Sequence, residues 1–232
     1  MPRRHIPKFL AAAIALLAVL TANATDFWLT KDWRQWSKGD CENLLAESPW
    51  VHTWRGGGPA GDQLAFAVQL RSALPIRQAI VRQLQFDQKY ENMTDAQRTT
   101  FDAQATQILN RNYDDAILVH VDYSKGLGAP YLPFAWFPTH SDTAILDPSL
   151  VTDDGTRISS SRFDSKTNYT FDLIFPRTKD GVPLIKDGQK HFSIQFHSPQ
   201  ITNNSQGITV PARNVGVEFD LGKMTIDGKI SY

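Results

Sequence analysis

The sequence predicts a mainly β protein: an antiparallel β-sandwich, immunoglobulin-like in layout, with a tryptophan-rich N-terminal helix and two further helices inserted. Three observations carry this reading. After residue 116, apolar residues recur at every second position in run after run, which is the period of a strand with one face buried. Before it, two stretches repeat at helical spacing behind recognisable start signals. Five of the six tryptophans (Trp28, Trp33, Trp36, Trp50, Trp54) crowd into residues 28–54, and so much indole surface belongs against a core.

The chain opens on Arg3, Arg4 and Lys8 followed by the apolar run Phe9 to Leu20. Ala22-Asn23-Ala24 then supplies the small-x-small pattern of a cleavage site. Residues 1–24 therefore read as a secretion signal cut after Ala24, and residues 25–232 as one β-rich domain with a helical insertion at about 75–111. The apolar run falls short of the roughly 20 residues a membrane span needs, so an integral membrane protein is not expected.

Ser37 and Asp40 form a capping-box variant, Trp36 and Cys41 occupy its hydrophobic staple, and Pro49 stops the helix. Arg55-Gly-Gly-Gly-Pro59 reads as a connector, since it lacks the Gly-Lys-Ser/Thr ending of a phosphate-binding loop. Leu64, Phe66, Val68 and Leu70 then alternate as the first strand. Pro75 starts a helix with Ile76, Ala79, Ile80 and Leu84 inward. Arg71, Arg77 and Arg82 read either as an anion-binding edge or, more commonly, as a solvated face. Thr94 and Gln97 cap a second helix carrying Phe101, Ala105, Ile108 and Leu109.

Ile117, Val119, Val121 and Tyr123 alternate in the next strand. The segment 131–138, aromatic but broken by prolines, suits an edge strand or packed loop, and Thr139 to Thr156 reads as surface loop. Strands follow over Arg157 to Phe163, Tyr169 to Phe175, Phe192 to Phe196 and Val215 to Leu221.

Charge and cysteine bound the function. Twenty-four basic residues balance 24 acidic ones, and loss of the three basic residues of the signal leaves the mature chain at about −3. A nucleic-acid partner is not expected. Cys41 is the only cysteine, so no disulfide closes within the chain, and its place on an apolar helix face favours a buried side chain over a reactive thiol.

Two constellations could carry chemistry. His120 and Asp122 share one strand face, His191 and His197 share another, and Asp172, Glu218 and Asp220 lie on the faces of neighbouring strands. If those strands adjoin, imidazoles and a carboxylate meet at zinc-ligand spacing; the competing and commoner outcome is a row of polar residues facing water. Tyr131, Phe134, Trp136 and Phe137 could form a flat aromatic platform for a sugar, or could simply pack a loop. Ser159 to Ser161 lack a nucleophile elbow, and Ser124 beside Asp122 and His120 is a coincidence of sequence unless geometry unites them.

The stretches DWRQWSKGDCENLLAESPW, VQLRSALPIRQA and FDLGKMTIDGKISY together resemble a group of secreted proteins of soil bacteria, particularly acidobacteria, for which no activity is established. The resemblance would cover most of the mature chain and implies an envelope or extracellular location; the polar stretch from Thr139 to Thr156 departs from it. The leading expectation is an exported, non-enzymatic binding or structural module of the bacterial cell envelope, with an envelope protein or glycan as partner and no cofactor. The alternatives are a secreted hydrolase using zinc held by His120, Asp122, His191 and His197, and a carbohydrate-binding module using Tyr131 and Trp136.

Overall fold

The mainly β architecture follows from paired strands whose alternate residues meet across a shared interior. The computed structural model describes residues 26–57, 63–124, 146–167, 170–186, 188–198, 201–203 and 208–232. The signal-peptide reading of residues 1–24 and the aromatic platform at Tyr131 and Trp136 lie outside the described residues.

Helices α1 (Phe27–Thr30), α2 (Lys38–Ala46), α3 (Leu74–Asp87) and α4 (Asp95–Leu109) accompany the strands β1 (Val51–Gly57), β2 (Gln63–Leu70), β3 (Ala116–Asp122), β4 (Leu146–Thr152), β5 (Arg157–Ser159), β6 (Arg162–Thr167) and β7 (Thr170–Pro176). Further along come β8 (Thr178–Lys179), β9 (Val182–Pro183), β10 (His191–Ser198), β11 (Ile201–Asn203), β12 (Ile208–Val210) and β13 (Arg213–Asp220), and then two short strands, β14 and β15 (Thr225–Ile226 and Lys229–Ile230). One antiparallel sheet runs β1-β2-β3-β7-β6 and the other β13-β10-β4-β5.

Their inner faces join in one cluster. Phe196 of β10 lies 5.5 Å from Phe66 of β2 and 6.0 Å from Phe171 of β7, both edge-on, while Phe192 stacks on Phe219 at 5.1 Å. Central position explains β3: its residues 117–121 are all buried, His120 included, where period-2 alternation alone would leave every second one wet.

Two sequence expectations are corrected. Residues 146–152, inside the stretch read as loop, form β4, an interior strand paired to both β10 and β5. Its polar residues misled composition: Leu150 is fully buried, and Ser149 and Thr152 are buried with it. Ser149 Oγ donates to the Asp147 carbonyl and Thr152 Oγ1 to Asp154 Oδ1. The glycine connector is likewise partly strand. β1 pairs with β2 from Val51↔Gln69 to Gly57↔Gln63, so the α3–α4 insertion follows the second strand, not the first. The Trp54 ring lies over Gly56, where any Cβ would collide with it, which is why glycine suits that strand position.

The serine run at 159–161 is where the chain changes sheets. Ser160 N–H donates to the Pro148 carbonyl of one sheet and Ser161 N–H to the Ile174 carbonyl of the other; the Ser161 hydroxyl donates to Ile174 at 3.0 Å, and the Ser160 hydroxyl, 3.0 Å from that carbonyl, is closer to the Arg162 carbonyl at 2.7 Å. These hydroxyls are corner fastenings.

Both predicted capping boxes form, at Ser37/Asp40 and at Thr94/Gln97. Burial acts to raise the Asp40 carboxyl, but hydrogen bonds from Lys31 Nζ at 2.7 Å and from Ser37 outweigh it and hold Asp40 below the ordinary carboxylate range. Helix α2 buries Cys41 and Leu44 beneath Trp36, whose indole N–H donates to the Lys31 carbonyl at 3.1 Å. Burial pushes the Cys41 thiol up to about 11, so it stays protonated and inert at neutral pH. An aromatic disulfide reagent is therefore expected to leave the native protein unlabelled and to titrate one thiol after denaturation; fast labelling of the native chain would contradict this packing.

The arginines Arg71, Arg77 and Arg82 form no common edge. Arg71 Nε donates to Gln69 Oε1, Arg82 Nε to the Trp36 carbonyl, and Arg77 Nη1 to the carbonyls of Ile108, Leu109 and Arg111 at the end of α4. Arg77 thus serves as a C-terminal cap in trans, placing a cation on the negative end of that helix.

Candidate functional site

The sandwich separates the residues nominated for zinc. In β3, Ile117, Val119 and Val121 face the shared interior, so His120 and Asp122 project from the opposite face of their sheet. In β10, Phe192, Ile194 and Phe196 face inward, and His191 and His197 project from the far face of the other sheet. Two layers of side chains and backbone lie between the pairs, and among the described residues no group of three or more His, Cys, Asp or Glu could hold a metal ion.

His191, Asp122 and His120 each have a local partner. His191 Nδ1 lies 3.7 Å from Asp153 Oδ1, and Asp122 Oδ1 accepts the Ser124 N–H at 2.7 Å. His120 pairs across the strands with Asp172, register partner to register partner, at 2.6 Å between Nδ1 and Oδ1. The two side chains are 9% and 8% exposed, and Asp172 Oδ2 lies 3.5 Å from Lys166 Nζ. This His–Asp couple joins β3 to β7 on the outer face of the larger sheet. The Ser124–Asp122–His120 grouping is not a triad, because the carboxylate on His120 is Asp172.

A different feature has the shape of a binding site. Between α1, the end of α2 and the turn after β13 lies a cleft of about 880 Å³, lined on its apolar side by Phe27, Trp28 and Leu29. The sequence builds it by stacking rings. Trp28 meets Trp50 edge-on at 5.8 Å and Phe27 meets Trp36 edge-on at 5.4 Å, so the buried indoles fix the orientation of the half-buried pair above them. Leu29 is left 50% exposed at the rim.

Polar groups line the cleft beside these rings: Asn43 from α2 and Glu47 at its C-cap, His52 from β1, and Lys223 and Thr225 after β13. Burial, assisted by the Lys223 charge, keeps the His52 pKa below its ordinary value; its ring packs edge-on against Phe219 at 5.1 Å. At neutral pH His52 is therefore uncharged, with one ring nitrogen donating and the other accepting.

No protein-family model and no curated protein sequence matches this chain. Among solved structures it is similar to a DUF4426 family protein from Pseudomonas aeruginosa PAO1, with 12% identity and a TM-score of 0.33 over 73% of this chain and 93% of that one. At that distance the likeness assigns no function. Among the described residues no helix is long and apolar enough to cross a membrane.

The aromatic cleft was hidden from sequence reasoning for a definite reason. The tryptophan cluster was legible, but Lys223 and Thr225 join it only because the chain after β13 returns to the start of the fold.

Proposed function

We propose that the protein is an exported module of the bacterial cell envelope that binds a glycan through the aromatic cleft and does not transform it. The observation that carries this reading is the cleft itself: half-buried Trp28 and half-exposed Leu29 opposite a rim of Asn43, Glu47, His52 and Lys223. Apolar ring surface beside hydrogen-bonding groups of both kinds matches a sugar, which offers C–H faces and a girdle of hydroxyls. The basic start, the apolar run Phe9 to Leu20 and Ala22-Asn23-Ala24 support export, which brings such a module to the glycan of the envelope.

Two measurements test it. Expression of the full-length precursor followed by fractionation should recover a chain beginning at Thr25 outside the cytoplasm; an unprocessed cytoplasmic chain would defeat export. The mature protein should co-sediment with purified peptidoglycan sacculi, and Leu29→Asp, which puts a charge on the exposed apolar rim of the cleft, should weaken retention about tenfold, the order of loss for covering an uncompensated charge. Equal retention of both proteins, or none of either, would defeat the glycan reading.

A further inference from the structure

A second cleft, sharing no lining residue with the first, gathers positive charge. Its volume is about 680 Å³, and Arg77, Arg111 and Arg177 line it together with Tyr113, Tyr232 and Ser72. Topology brings them together. Ala116 pairs with Pro176, which places Arg177 beside the segment leading from α4 into β3, and Arg77 reaches that segment from the first turn of α3.

The cations lie on tyrosine rings. Arg77 and Arg111 each stand 5.3 Å from the centre of Tyr113, and Arg177 stands 4.1 Å from that of Tyr232. Among the described residues none of the three has a side-chain carboxylate as ion-pair partner. Arg177 Nε donates to the carbonyls of Tyr113 and Ala116, and its Nη2 to the Tyr232 main-chain oxygen, so it is the best satisfied of the three. Among the described residues, Asp114 is the one acidic side chain lining the cleft.

Two buried donors there are unmet among the described residues. Ser72 is 3% exposed and its hydroxyl finds no hydrogen-bond partner among them; nor does Arg77 Nε, also buried. Such groups ordinarily find partners, because desolvating them without compensation is costly. Burial and the nearby Arg177 charge both disfavour the Arg77 cation and lower its pKa. A bound negative charge would relieve both. The rim also carries two exposed apolar side chains, Leu74 at 42% and Ile230 at 38%.

We infer that this cleft is a binding site for a small oxyanion, carboxylate or phosphate, carried on an aromatic or short apolar body. The guanidinium forks of Arg77 and Arg111 and the Ser72 hydroxyl hold the oxyanion, and Tyr113 with the Leu74 and Ile230 rim receives the body.

Calorimetric titration of the mature protein with phenyl phosphate and, separately, benzoate tests this, with sodium chloride at matched ionic strength as the control for screening. One of the two should bind saturably at one site per chain, and which one distinguishes phosphate from carboxylate. Arg111→Glu should weaken that binding by about tenfold or more, the usual worth of a charge-assisted hydrogen bond, and Ser72→Ala should weaken it less. Arg111 is exposed; its guanidinium stands over the Tyr113 ring and its carbonyl, which substitution leaves in place, accepts from Arg77, so Arg111→Glu should unfold thermally as wild type does. Heats no different from those with chloride, or equal affinity in Arg111→Glu, would overturn the assignment.

Discussion

Replacing Trp50 with alanine is expected to destabilise the protein by about 3–5 kcal/mol, the range for removing a fully buried large aromatic side chain. Trp50 is fully buried, and its indole N–H donates to the Ser231 carbonyl at 2.5 Å, 181 residues along the chain. It meets Trp28 edge-on, and its own carbonyl accepts the Leu70 N–H, fixing the start of β1 against the end of β2. Alanine would leave a void, strand the Ser231 carbonyl, and remove the ring that orients Trp28. Trp54, half-buried on β1, is the internal comparison, and its truncation should cost clearly less. Urea unfolding followed by far-UV circular dichroism measures both, since tryptophan fluorescence changes with the substitution itself. A Trp50→Ala loss of about 0.5 kcal/mol or less, the size of a typical surface change, would mean that these rings do not anchor the fold.

The value of Trp50 to the fold could be anticipated from composition, but its partner could not. Local signals in this chain are strong. Ser37 and Asp40, Thr94 and Gln97, and the alternation of Phe192, Ile194 and Phe196 each specify a cap or a face within a few residues, and each forms as expected. The misreadings occur where tertiary pairing overrides composition. Asp147, Pro148, Ser149 and Thr152 look like loop residues, yet strands on both sides supply hydrogen bonds that make them an interior strand. Arg77 and Arg82 look like a wet helix face until the end of α4 and the Trp36 carbonyl arrive to accept from them.

Site geometry was still less legible, because a binding or metal site depends on which strand neighbours which. Alternation correctly placed His120 with Asp122 and His191 with His197, one pair on each face. It could not reveal that the two pairs belong to different sheets with the whole core between them. The same missing register hid the true partner of His120. Asp172 stands directly opposite it on β7, and 52 residues of sequence separate them.

That pair supplies the second large effect. Asp172→Leu is expected to cost about 3 kcal/mol, because it leaves the His120 Nδ1 without its acceptor on a side chain that is only 9% exposed. Lys166, 44% exposed, loses a partner too but can turn to solvent or to Asp164, 3.5 Å away, so the penalty falls on the imidazole. His120→Leu should be costly in turn, since it strips Asp172 of its shortest bond and leaves a carboxylate that is only 8% exposed. The double substitution His120→Leu/Asp172→Leu removes both polar groups and fills the space with apolar volume, so it should recover most of the loss. A double-mutant cycle by urea unfolding then yields a coupling of about 2 kcal/mol or more. Simple additivity of the two single changes would show instead that the two residues contribute independently, and the outer face of the larger sheet would need another fastening. The same cycle separates structure from chemistry. A couple kept for its packing leaves the double variant folded and still retained on sacculi, whereas one that touches ligand would lose retention while stability returned.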